Sequence, residues 1–287
     1  MNVATGRLTL VATPIGNLGD LSPRSVEVLA ASDVIYCEDT RRTRALLSHA
    51  GVQGAHLVSL HEHNEISRVP EIVADLEAGH KVAVVSDAGM PAIADPGRRA
   101  VEAAVALGAE VDAVPGPNAA VLALVLSGFA TDRFCFEGWL PRKGPERRGR
   151  LDLLAKETRT VVIYESPRRV AGTLADLRET CGDQRPVVVA REMTKIYQQT
   201  WRGTLEGACG WTSGADVRGE VVIVLAGAEV DRVREVADGE LRAAIGDRLA
   251  GGASVRDAAA QVAAELGVSR RRAYEEALAL HGGVSGS

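Results

Sequence analysis

Short β-rich runs alternate with helix-like runs through the first 128 residues, and this alternation constrains the fold more than any other feature of the chain. RLTLVAT (7–13) reads as a strand, and SPRSVEVLAAS (22–32) as a helix capped by Ser22 with Pro23 in the favoured first position. DVIYCED, TRRTRALLSHAG closing on Gly51, AHLVSLH, and RVPEIVADLEAG ending before Gly79 repeat the pattern. KVAVVSD is the most apolar strand, followed by DPGRRAVEAAVALG, EVDAVPG and the Ala/Leu-rich NAAVLALVLSG. Strands separated by helices pair in parallel through right-handed crossovers. Ligands on such sheets sit beyond the carboxyl ends of the strands. The rule points to Thr13–Asn17, Glu38–Thr40, Ser86–Pro91 and Pro115–Asn118, four turns rich in glycine, proline and polar residues, as parts of one site.

From about Thr131 the texture changes. RFCFEGWLP, TRTVVIYES, RPVVVARE, TWRGTL and GEVVIVLAG are five β-like runs, with one clear helix, 166–182, among them. This predicts an α+β domain with a mostly antiparallel sheet, and the basic stretch PRKGPERRGR (141–150) reads as a loop near its start. Past Gly227 the strands stop, and GELRAAIGDRLAGG, SVRDAAAQVAAELG and SRRRAYEEALALHGG read as three short helices. Ser254 with Asp257 and Ser269 supply start signals. Helix, LGVS turn, helix is the spacing of a helix-turn-helix and equally of a small packing bundle. The expected organisation is three domains: 1–128, 129–228 and 229–287.

Composition narrows the function. Hydrophobic residues make up 46% and charged residues 25%, as in soluble globular proteins, and with only 3% aromatics the cores must be built from Ala, Val and Leu. No apolar stretch reaches the ~18 residues of a membrane span, and the N-terminal stretch lacks a signal-peptide pattern; a cytoplasmic location is expected. The cysteines at 37, 135, 181 and 209 stand too far apart for a zinc or disulfide framework. His61 and His63 of HEHNE lack a third ligand, so no metal is expected. The net charge of −5 argues against an all-over polyanion binder. Local basic clusters at Arg41–Arg44, 141–150 and Arg270–Arg272 nevertheless point to confined phosphate contacts. No G-x-S-x-G, G-x-G-x-x-G or G-x-x-x-x-G-K-[ST] occurs. The apolar run, acid, glycine and prolines of VAVVSDAGMPAIADPG (82–97) suit a nucleoside-like ligand held without a phosphate cradle, in a chain that reads as an enzyme, and equally an ordinary strand-to-helix turn, where Asp and Gly are common.

TPIGNLGD, EDTRRT, HEHNE, VSDAGMPAIADPG, VPGPNA, FEGWLPRK, YESPRR, AREMTK, RGTL and GEVVIVL occur in this order. Together they resemble the tetrapyrrole-methylase superfamily and, within it, the 16S ribosomal RNA (cytidine-2′-O)-methyltransferases. The similarity runs from about Leu8 to Leu225, and Ala263–Tyr274 resembles that family's C-terminal extension. The resemblance implies a tetrapyrrole-methylase-like α/β fold: a parallel-sheet N-terminal domain, a mixed-sheet second domain and a small C-terminal helical domain. It also implies a homodimer using S-adenosylmethionine, with 16S rRNA of the small ribosomal subunit as partner and cytidine 1402 of the decoding region as target. The cofactor residues carried over are Pro14, Asp87, Ala88, Gly89, Met90, Ile93, Asn118, Ala119, Ala120, Tyr164, Met193, Glu220 and Val221. Met90 stands where threonine is expected, and Gln198–Gln199 replace an expected acidic pair. For a ribose hydroxyl of high pKa, Glu38 and Asp39 are candidate proton acceptors, with Arg41, Arg191 and Lys195 as cations, though these residues also suit structural ion pairs. Arg142, Lys143, Arg147, Arg148, Arg270, Arg271 and Arg272 are candidate RNA contacts. The alternatives are carbon methylation of a tetrapyrrole and a helix-turn-helix ligand sensor.

Overall fold

A computed structural model describes residues 5–214, 217–229 and 236–284, with the side chains of 282–284 left out. The chain forms two compact units, Met1–Ala228 and Glu229–Ser287. In the first, five strands pair in the order β3 (Leu57–Ser59), β2 (Val34–Cys37), β4 (Lys81–Val85), β1 (Arg7–Val11) and β5 (Glu110–Val114), every pair parallel. Both faces are covered. Helices α1 (Pro23–Ala30) and α2 (Thr40–His49) bring Leu29 and Leu47 onto Val11, Ile35, Ala83 and Val85. On the other face α3 (Glu65–Glu77) and α4 (Arg98–Leu107) lay Ile72, Leu76, Ala100 and Ala104 on Leu8, Leu10, Tyr36, Val82 and Val84. Burial on two faces explains why β4 has no polar alternation: Val82 to Val85 are each at most 1% exposed. Each such valine contributes about 1.5–3 kcal/mol.

The second sheet has the order β6 (Phe134–Trp139), β7 (Thr160–Glu165), β10 (Val221–Leu225), β8 (Pro186–Arg191) and β9 (Gln199–Thr204). Its β6–β7 pair is parallel and the rest are antiparallel, so the sheet is mixed. Three helices cover one face: α6 (Gly144–Lys156), α7 (Val170–Cys181) and α8 (Leu205–Ser213). Of these, only α7 is evident in the sequence. Residues 144–150 are the first turns of α6 rather than a loop: Pro145 opens the helix, Glu146 sits in its first turn, and Leu151 and Leu154 are its buried residues. Two leucines among so many charges give no amphipathic signal.

The other face of this sheet is covered by α5 (Ala119–Ser127), whose Ala120, Ala123 and Leu124 share a core with Val162, Val188, Val222 and Val224. The sequence division at 128/129 thus falls between α5 and the sheet it covers.

In the second unit α9 (Asp238–Ala250), α10 (Val255–Leu266) and α11 (Arg270–Val284) bury Leu241, Ile245, Val262, Ala273 and Ala277 together. Ser254 caps α10 by accepting from the Asp257 amide at 3.1 Å, and Gly267 ends it with φ 66°. Among the described residues no helix is long and apolar enough to cross a membrane.

Candidate active site

The turns after β1, β2, β4 and β5 meet at one end of the first sheet. Thr13 and Gly89 exchange backbone hydrogen bonds of 2.9 and 3.1 Å, tying the β1 and β4 turns together. Gly89 has φ 83°, a conformation that L side chains resist. Asp87 accepts from the Asp39 amide at 3.0 Å and pairs with Arg42 at 3.4 Å, and Glu38 accepts from the Asp87 amide at 3.4 Å. At Gly116 a Cβ would stand 2.7 Å from the Ala12 Cβ, so the PGP turn needs glycine to approach β1.

Between these turns and the second sheet lies a cavity of about 270 Å³. Ile15, Glu38, Arg42, Asp87–Met90, Ile93, Asp95, Asn118 and Ala119 line it from the first side, and Trp139, Tyr164, Glu220, Val221 and Val222 from the second. Tyr164 stands edge-on to Phe136 at 4.9 Å and to Trp139 at 5.8 Å, making an aromatic wall. Its hydroxyl accepts from the Ala120 amide at 3.2 Å, and burial pushes its pKa up to about 12.

Four carboxylates (Glu38, Asp87, Asp95 and Glu220) and one arginine share this cavity. Burial, with the charges of Glu38, Asp87 and Glu220 added, pushes Asp95 up to about 7. Burial likewise raises Glu38 and Asp87. Such a set favours a cation. Side chains of the protein take amides at the helix N-termini around the site. Asn118 accepts from the Val121 amide, Glu65 accepts from the Gly97 and Arg99 amides, and Asp39 accepts from the Arg41 amide. An aromatic wall and several carboxylates suit a positively charged nucleoside, so the residues present fit S-adenosylmethionine.

Of the expected cofactor residues, Asp87, Ala88, Gly89, Met90, Ile93, Asn118, Ala119, Tyr164, Glu220 and Val221 line the cavity. Pro14 lines a neighbouring cavity of about 260 Å³ that shares Arg42 and Asp87. Ala120 and Met193 are buried in the core beneath α5 instead. Asp95, Trp139 and Val222 have no place among the site residues read from the sequence, whereas Ile15 lies in the expected Thr13–Asn17 turn and Arg42 in the Arg41–Arg44 cluster, there read as a phosphate contact. For Asp95 a signal existed, a second acid in the glycine- and proline-rich turn after the most buried strand.

The expected catalytic residues separate. Glu38 lines the cavity, whereas Asp39 caps α2 and pairs with the exposed Arg41 at 3.1 Å, which holds its carboxyl near 2. Neither Asp39 nor Arg41 is part of the lining. Arg191 donates to Gln199 at 2.7 Å. Lys195 bonds Glu192 at 2.8 Å and the cavity residue Glu220 at 3.0 Å. Its stem lies where a Cβ on Gly16 would be, 2.4 Å from Cγ. The glutamine pair that replaces the expected acids closes this loop: Gln198 accepts from the Thr194 amide at 2.7 Å while Gln199 holds Arg191. An amide oxygen does this work without a charge.

Arg142, Lys143 and Arg148 are exposed. Arg147 is not: its side chain is 11% exposed and is held by Asp176 at 2.6 Å, Thr173 at 3.0 Å and the Pro141 carbonyl at 2.9 Å. In the second unit Arg270 and Arg271 are exposed, whereas Arg272 holds the Val236 carbonyl and Asp238, each at 2.7 Å. HEHNE does architectural work, with Asn64 accepting from the His61 amide at 2.7 Å and Glu65 capping α4. Among the described residues no group of three metal-ligating side chains comes together.

Residues 7–209 match the tetrapyrrole (corrin/porphyrin) methylases. A Synechocystis protein named ribosomal RNA small subunit methyltransferase I is 43% identical over 96% of this chain and 98% of its own. The protein of that name from Mycobacterium tuberculosis is 42% identical over 96% of both chains. That from Thermotoga maritima is 46% identical over 78% of this chain and all of its own. Among solved structures, the methyltransferase CobJ superposes with a TM-score of 0.60 at 24% identity, covering 79% of this chain and 97% of its own. A Thermus thermophilus uroporphyrin-III C-methyltransferase complexed with S-adenosyl homocysteine gives 0.53 at 19% identity, over 77% and 97%. At these identities the structural likeness speaks for the fold alone.

Proposed function

We infer the reaction from one premise: the chain belongs to the tetrapyrrole (corrin/porphyrin) methylase family, among the proteins named ribosomal RNA small subunit methyltransferase I. We propose that it transfers a methyl group from S-adenosylmethionine to the 2′-oxygen of a cytidine ribose in 16S ribosomal RNA. The observation that carries this reading is the acid-lined, aromatic-walled cavity at the strand ends. When bound, the cofactor supplies a methyl group on a positively charged sulfur. Asp87, Glu38 and Glu220 offer carboxylates to its cationic groups and hydroxyls, and Ile93, Tyr164 and Trp139 offer apolar surface to a purine. The chain's own contribution is to hold the acceptor oxygen in line with that methyl group and to keep the pocket dry.

Carbon methylation of a tetrapyrrole has less support. The solved uroporphyrin-III and cobalt precorrin-4 methyltransferases share the fold at 20% identity or below, whereas the relatives named for ribosomal RNA share 39–46%. A ligand sensor would not need the methylase match. The reading includes work in the cytoplasm and a homodimer. The latter is supported by an apolar strip on α5, where Val121 and Val125 are 49% and 65% exposed.

The decisive experiment is methyl transfer from labelled S-adenosylmethionine to small ribosomal subunits from cells lacking this protein. The expected product is label on a cytidine ribose oxygen, identified by mass spectrometry. Label on a base carbon or on tetrapyrroles alone would replace this reading.

Arg142, Lys143 and Arg148 in the first unit, and Arg270 and Arg271 in the second, are the RNA contacts of this reading; Arg147 and Arg272 hold their helices in place. Replacing Arg142, Lys143 and Arg148 together with alanine weakens RNA binding about tenfold and lowers the salt slope by about two. Cofactor affinity stays unchanged. Filter binding across a salt series reads the first effect and calorimetry the second.

A further inference from the structure

The turn between β4 and α4 holds Asp95 in a conformation that local preference would not choose. Ala92 and Ala94 have φ 69° and 61°, left-handed backbone that alanine rarely adopts. The turn is closed on itself by the Ala92 amide donating to the Pro96 carbonyl at 3.0 Å. From outside, the Glu65 carboxylate fixes its far end by accepting from the Gly97 and Arg99 amides at 2.8 and 3.0 Å. Backbone held away from its preferred wells by surrounding structure, at a cavity, is a mark of a functional turn.

The side chain it presents differs from the other acids of the cavity. Asp87 has the Asp39 amide and Arg42, Glu38 has the Asp87 amide, and Glu220 has Lys195. Among the described residues no donor reaches the Asp95 carboxylate, although it lines the same cavity. The titratable and charged groups sharing that space are Glu38 from the end of β2, Arg42 from α2, Asp87 from the β4 turn, Tyr164 from β7 and Glu220 from the approach to β10. Burial and the three acids leave Asp95 poised near neutral pH, at about 7, where a group can both take up and release a proton.

We propose that Asp95 is the proton acceptor of the transfer, the group that takes the hydrogen of the attacking ribose hydroxyl. The proposal rests on the reading of this cavity as the methyl-transfer site. As the hydroxyl oxygen forms its bond to the methyl carbon, its O–H bond breaks and the proton passes to a carboxylate oxygen of Asp95. The carbon–sulfur bond of S-adenosylmethionine breaks, and its electron pair stays on sulfur. Charge makes the timing favourable. A bound sulfonium favours ionised Asp95 before transfer, and loss of that positive charge favours the protonated acid afterwards. Glu65 acts one step removed, as a positioning residue for the turn.

The test uses full-length wild type, Asp95→Asn and Asp95→Glu. Turnover on small ribosomal subunits is measured from about pH 5.5 to 8.5. S-adenosylhomocysteine affinity is measured by calorimetry, and the carboxyl resonances of aspartate-labelled, ligand-free protein are titrated by NMR. Wild-type turnover is expected to climb with pH to a plateau, because the acceptor must be ionised. Asp95→Asn is expected to be slower by about 100-fold and to lose that climb, with affinity for S-adenosylhomocysteine within about threefold of wild type. Asp95→Glu recovers part of the rate and the climb. The carboxyl titrating near neutrality in wild type is absent in Asp95→Asn. Because burial disfavours the charged form, the asparagine variant should melt no lower than wild type at alkaline pH, so lost turnover is not unfolding. An unchanged pH profile, or a loss of affinity as large as the loss of rate, overturns the proposal and leaves Asp95 as a structural or cofactor-holding group. Wild type that fails to methylate the subunits overturns the functional reading itself, a result the variants cannot produce.

Discussion

Glu165→Ala is expected to lower the stability of the first unit by about 3 kcal/mol and its melting midpoint by roughly 6–12 °C. Glu165 ends β7, and strand alternation puts it on the side of Val161 and Ile163, under α7. Its side chain is fully buried. It accepts from the Thr173 hydroxyl at 2.6 Å and the Ser166 amide at 2.8 Å, and pairs with Arg169 at 3.4 Å. Thr173 in turn accepts from Arg147, which reaches Asp176 and the Pro141 carbonyl. One carboxylate thus anchors a buried chain of donors joining α6, α7 and the end of β6. Removing it leaves the buried Thr173 hydroxyl and the Ser166 amide without their acceptor and takes the paired carboxylate from Arg169, and unpaired polar groups are most costly inside the protein. Glu165→Gln keeps an acceptor of the same shape and should lose about half as much. Thermal melts of the three proteins give the answer, and an alanine variant melting with wild type would show the network to be dispensable.

Acidification is expected to weaken S-adenosylmethionine binding by about 10- to 100-fold between pH 8 and pH 5. The sign follows from the direction of the shifts. Asp95, near 7, and Glu38 and Asp87, raised from their ordinary values, take up protons in the folded protein at a higher pH than free carboxyls do. As pH falls through that window the cavity loses negative charge and with it the attraction for a cation. The same shifts act oppositely on folding. A raised carboxyl pKa makes the folded state relatively more stable on the acid side, and that contribution is lost as pH rises through about 7. Binding and stability should therefore move in opposite directions over this range. S-adenosylhomocysteine, whose sulfur is neutral, should weaken less. Calorimetry with both ligands at the two pH values checks this; identical pH dependence would mean that the cavity's acids do not hold the sulfonium.

The first sheet was legible because its signals are local. Its strands are short β-rich runs, mostly apolar except for β5 with Glu110 and Asp112, and each helix carries its own cap or terminating glycine, so element type, chain order and parallel pairing follow from neighbours in sequence. That the four strand-end turns share a site was legible for the same reason, since parallel topology puts them at one end. The five strands of the second sheet could be read, but α6 and α8 could not. In α6 charges swamp two buried leucines, and α8 is a short run, LEGACGWTS, of small residues.

The sequence by itself determined the alternation, the strands, the end of the sheet at which the four turns gather and, through ten ordered motifs, the family. Tertiary structure alone decided what each charge does. Arg147 and Arg148 are neighbours in one basic run, yet one is clamped by Asp176 and the other faces water. Asp39 and Asp95 are both acids after parallel strands; Arg41 fixes the first, while three acids converge on the second. Likewise α5 ends the first run of elements but packs one face, Ala120, Ala123 and Leu124, on the second sheet. The reason is physical: secondary structure is set by interactions a few residues apart, whereas a buried charge or an apolar face answers to partners that only folding brings near.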